Sequence, residues 1–171
     1  MIRLAGIGMI AAAVLALGFW CSLNMKKRIR NLHLMQTVLH MLAGEIGFTG
    51  RILEEAFEDI SNRLEDPFSS FFQHVSERMQ NQDGTGLIQI WKESEDMFMG
   101  SGLKEEDLEL FRKLGNELGF LDVDMQLRTL ELLEMQVKET TGRLEKNCEA
   151  SCKMYQSLGI LGALTVIVVM I

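Results

Sequence analysis

Cys148 and Cys152 stand four residues apart, one helical turn, and His33, His40 and His74 lie elsewhere in the chain. Thiolates at that spacing could share a metal ion, but a zinc site needs four converging ligands at recognisable separations, and none is visible. No metal and no cofactor is expected. Carboxylates are denser: Glu54, Glu55, Glu58 and Asp59 form one cluster, and Glu105, Glu106, Asp107 and Glu109 a second. Acids suit the first turn of a helix through the macrodipole alone. The same placement can also present negative potential to a basic partner surface. Glu45 stands between the apolar residues Leu42 and Ile46; a partly buried acid paired with Arg51 or Arg112 is expected there, not a catalytic group. No GxxxxGK(S/T), HExxH or GxSxG occurs, and Gly84-Thr85-Gly86 is too short to cradle a phosphate. The residue pattern assigns no catalytic chemistry.

The elements that must position these groups follow from charge and hydropathy. The chain has 171 residues, 17 bases and 24 acids, a net charge of −7. Residues 1–30 hold five bases and no acid, and the remainder holds twelve bases and 24 acids, so +5 is followed by −12. An acidic middle argues against a nucleic-acid binder, which needs a basic face. One proline and twelve aromatics argue against an all-β sandwich. Three cysteines are too few for a disulfide scaffold.

From Leu4 to Leu23 there are twenty residues without a charge, which as a helix reach about 30 Å, the hydrocarbon thickness. A cleaved signal peptide would be shorter and end in a small-x-small site, whereas this run ends in Phe19-Trp20. Trp20 before Cys21 fits a lipidation site poorly. Residues 1–25 are therefore expected to form an N-terminal transmembrane helix. Lys26, Lys27, Arg28 and Arg30 place the residues after them in the cytoplasm by the positive-inside rule. Gly8, Ala12 and Ala16 have the small-xxx-small spacing of close membrane packing, a spacing that an alanine-rich, lipid-facing helix shows as well. Residues 154–171 again lack charge and would cover about 27 Å, a short second span or alternatively a buried core helix. Both termini would then lie outside, with an acidic cytoplasmic domain at 26–153.

In that middle the apolar residues recur at helical spacing, so the fold class is all-α, a bundle of about six helices between the two terminal ones. Leu32, Met35, Leu39, Leu42 and Ile46 mark the first stripe, ending near Gly47 and Gly50. Leu53, Ala56, Phe57, Ile60 and Leu64 mark a second, with Thr49 as its expected cap. Asp66-Pro67 closes that helix and opens a third carrying Phe68, Phe71, Phe72, Val75 and Met79. A loop at 81–86 precedes a fourth helix with Leu87, Ile90 and Trp91, and 99–102 breaks again. Leu108, Phe111, Leu114 and Leu118 lead to Gly119, and Asp122 can cap a last helix with the stripe Leu130, Leu133, Val137 and Leu144, running on into the membrane.

Four stretches in this order carry a resemblance: LHMLAGEIGF from Leu39 to Phe48, with Glu45 inside it; LIQIW, ending at Trp91; Leu114-Gly115-Asn116-Glu117-Leu118-Gly119, followed by Asp122 and Gln126; and the run from Tyr155 to Gly162. Together they resemble the stage III sporulation protein AB family of endospore-forming bacteria, over nearly the whole chain. Phe48 stands where the family has a tyrosine, and a proline common just beyond it is missing. The resemblance implies a non-enzymatic component of the membrane complex that joins mother cell and forespore during engulfment, a multi-pass protein of the mother-cell membrane around the forespore. It also implies a helical domain similar to the cytoplasmic domains of type II secretion and type IV pilus platform proteins, which contact a hexameric motor ATPase. The implied partners are the stage III sporulation protein AA ATPase, the other proteins of the complex and the membrane, and a homo-oligomer is left open. Two competitors from other classes are a membrane-anchored helical sensor or signalling protein, and a redox or metal protein using Cys148 and Cys152.

Overall fold

The computed structural model describes residues 2–49, 52–81, 84–118 and 122–170. Among them every regular element is helical: α1 (Ile2–Gly44), α2 (Leu53–Arg63), α3 (Phe68–Gln80), α4 (Leu87–Ser94), α5 (Glu105–Glu117) and α6 (Val123–Met170). A wide π-helical turn, Glu45–Thr49, follows α1, and a 3-10 turn, Glu95–Phe98, follows α4. The chain divides into two compact units, residues 30–141 and the paired ends 1–29 with 142–171.

Residues 30–141 bury most of the expected stripes, while Ile46, Leu53, Leu64, Met79, Leu87 and Leu108 are half-buried, and Leu144, also half-buried, belongs to the other unit. Leu32, Met35, Leu39 and Leu42 of α1 are buried together with Val38, and Leu130, Leu133 and Val137 of α6 are buried as well. In this unit α1 and α6 run antiparallel: Gln36 Nε2 donates to Thr141 Oγ1 at 2.9 Å, and Leu127 lies 3.6 Å from the space a side chain on Gly47 would take. The helices α2 to α5 pack in chain order, α2 on α3, α3 on α4 and α4 on α5. Their centre is aromatic. Phe71 lies 4.9 Å from Trp91, 5.0 Å from Phe111 and 5.2 Å from Phe98, and Phe57, Phe68 and Phe72 complete the cluster. Offset and edge-on rings at such separations add to the burial of large apolar area.

Local chemistry accounts for most element ends, with two departures from expectation. Helix α2 begins after Ile52, whose carbonyl accepts from Ala56 N–H, so Thr49 stands too early to be its cap. At α3 the capping position falls on Pro67, while Asp66 Oδ1 accepts from Ser70 N–H at 3.3 Å and so still satisfies a first-turn donor. The break after the 3-10 turn follows from backbone conformation: Gly100 and Gly102 have φ of 73° and 84°, the left-handed region that only glycine enters cheaply. Gly50 and Gly119, expected helix ends, lie outside the described residues.

In the unit formed by 1–29 and 142–171, Phe19, Trp20, Leu23, Met154, Ile160 and Leu161 are exposed. Lys26 and Lys27 are among the basic residues after the first uncharged run, and Arg28 is buried. Ala16 is exposed, and the surroundings of Gly8 and Ala12 lie outside the described residues. Among the described residues no helix is long and apolar enough to cross a membrane.

Candidate docking surface

On α2 the core takes Ala56, Phe57 and Ile60, so the positions between them turn outward. Glu55 and Glu58 are exposed, and Glu54 and Asp59 are half-buried. The face is held by α3: Ser76 Oγ donates to the Glu54 carbonyl at 3.0 Å, Ser69 Oγ to the Ser61 carbonyl at 2.8 Å, and Gln80 Nε2 to Glu58 at 3.3 Å.

The second cluster divides. Glu105, Glu106 and Glu109 are exposed at the start of α5. Asp107 is 1% exposed, and its Oδ2 accepts from the Lys104 N–H at 2.8 Å. That is half of a capping box, a bond that fixes the helix start. A carboxylate so buried is beyond direct contact by a partner, which sets Asp107 apart from the exposed members of the expected docking set. Glu105 in turn is bound to Arg112, whose Nη1 lies 2.6 Å from Glu105 Oε1 and whose Nε lies 2.8 Å from both carboxylate oxygens of Glu95. The hydrogen bonds that Arg112 donates to Glu105, then to Glu95, raise the guanidinium above its ordinary pKa.

Arg112 is thereby committed to Glu95 and Glu105, not to Glu45 as the sequence suggested, and Arg51 lies outside the described residues. Glu45 is half-buried, as expected, and lines a cleft of about 220 Å³ with Asp59, His40 and Arg63. Two acids that sequence reading treated separately thus meet at one place. Helix α2 packs chiefly on α3, and α5 on α4, so the two acidic helix starts belong to different helix pairs. Cys148 is half-buried and Cys21 exposed, and the side chain of Cys152 lies outside the described residues. Among the described residues no three His, Cys, Asp or Glu side chains form a metal-binding group.

The motif residues have structural positions. Trp91 is buried in the aromatic cluster, between Gly115 of α5 and the phenylalanines of α3, and Leu114 is buried as well. Gln126 Nε2 donates to the Leu118 carbonyl at 2.9 Å, and Gln126 N–H to the Asp122 carbonyl at 2.9 Å. One side chain therefore ties the end of α5 to the start of α6. Sequence reading missed Asn31, which is fully buried and donates from Nδ2 to the Ser101 carbonyl at 2.6 Å, anchoring the glycine loop to α1. Its place beside the apolar stripe was the only available signal.

Comparison with known proteins decides the family: the model of stage III sporulation protein AB matches residues 3–171. The chain belongs to the stage III sporulation protein AB family. A curated member, stage III sporulation protein AB of Bacillus subtilis (strain 168), is 24% identical over 171 residues, covering 99% of each chain. A solved structure of a stage III sporulation protein AB superposes with a TM-score of 0.65 at 21% identity, over 71% of this chain and 96% of that one. It shares the helical fold. Membership in this family gives the chain a role in sporulation.

Proposed function

We propose that this chain is a non-enzymatic membrane scaffold of the complex that joins mother cell and forespore, and that its helical unit docks a cytoplasmic motor ATPase, stage III sporulation protein AA. The observation that carries the reading is the set of outward carboxylates Glu55, Glu58, Glu106 and Glu109 on the first two turns of α2 and α5, mounted over a packed aromatic core. Fixed negative charge of this kind steers a basic partner and penalises wrong ones.

The membrane part is supported by the uncharged runs 4–23 and 154–171 and by exposed Phe19, Trp20, Leu23, Ile160 and Leu161 at the two ends. Lys26, Lys27, Arg28 and Arg30, just past the first run, favour a cytoplasmic side for the helical unit. A motor ATPase must be met there. The corresponding location is the mother-cell membrane around the forespore.

The test is co-purification of the detergent-solubilised full chain with the ATPase at low and high salt, beside a Glu106→Lys/Glu109→Lys variant. Binding that salt weakens and charge reversal abolishes supports the docking reading. A folded chain that binds no ATPase, or binds equally after reversal, overturns it.

A further inference from the structure

We draw no further inference here: the strongest candidate, the exposed apolar stripe of Met125, Leu132 and Met135 on the outer face of α6, carries nothing because nothing in the structure shows what covers it.

Discussion

Gly115 and Trp91 are in direct contact, with the indole ring occupying the place a side chain on residue 115 would need. A Cβ there would lie 2.6 Å from Cγ and Cδ2 of Trp91 and 2.8 Å from Cδ1. The ring is itself wedged among Phe71, Phe72 and Phe111, 4.9, 5.8 and 4.8 Å away, so it has nowhere to retreat. Gly115→Ala is expected to destabilise the helical unit by about 1–3 kcal/mol, the usual cost of overpacking. Chemical denaturation of the wild type, Gly115→Ala, Trp91→Leu and the double variant checks this. The alanine should cost far less once the indole is gone, and equal cost in both backgrounds would show that the contact is not the cause.

Gln126 reaches back across the α5–α6 connection to the Leu118 carbonyl. Gln126→Ala leaves that acceptor without its side-chain donor, at a cost of about 0.5–1.5 kcal/mol. The expected signature is local: faster amide exchange at the first turn of α6 than in the core of α3. Uniform acceleration across both helices would instead mean a global loss of stability.

Asp107 and Glu106 are adjacent in sequence and are expected to behave oppositely. Asp107→Ala removes the acceptor of the Lys104 N–H and should cost about 1 kcal/mol, the scale of a lost helix-start bond. Glu106→Lys should leave the thermal midpoint nearly unchanged and act on ATPase binding. Measuring both properties on both variants separates a structural acid from a docking one.

The bridge from Arg112 to Glu95 and Glu105 is partly open to solvent, with 38% of the arginine side chain exposed. Exposed pairs contribute up to about 1 kcal/mol, and less in salt. Arg112→Gln is therefore expected to shift the unfolding midpoint slightly, and by less at high salt. Because the folded pKa of the guanidinium is raised, its contribution is fully present below the unfolded arginine value and fades only as pH climbs through the folded one. Stability curves of the wild type and Arg112→Gln should run parallel through the alkaline range up to that point. Convergence near neutral pH would show that another group controls the bridge.

The membrane reading predicts that the full chain stays with the membrane fraction after alkaline or high-salt washing and leaves it only in detergent. Replacing Leu15 and Leu17 with Arg, charges costly in hydrocarbon, should release or mislocalise it. Recovery of the wild-type chain in the aqueous wash would remove the membrane part of the proposal and leave the docking part to be tested separately.

The all-α fold was already legible in the residue order, because apolar residues recur at three and four and a helix is the only local structure that gathers them on one side. Phe57, Ile60, Phe71, Phe72, Ile90, Trp91, Phe111 and Leu114 could be read as core on that ground alone, and all are buried. Glycine pairs and the Asp66-Pro67 step marked the breaks through local backbone preference. What periodicity cannot convey is which polar group turns inward, since a carboxylate between two exposed ones looks the same until the neighbouring helix arrives. The bond from the Lys104 N–H to Asp107 is local, three residues apart, but it took the packed helices to bury Asp107 while leaving Glu106 exposed. Partner choice belongs to the same class: Arg112 lies 17 residues from Glu95, and only the packing of α4 on α5 brings them together. The motif around Gly115 was readable as a pattern, but its cause, an indole ring filling the space of a missing side chain, exists only once α4 and α5 are in contact.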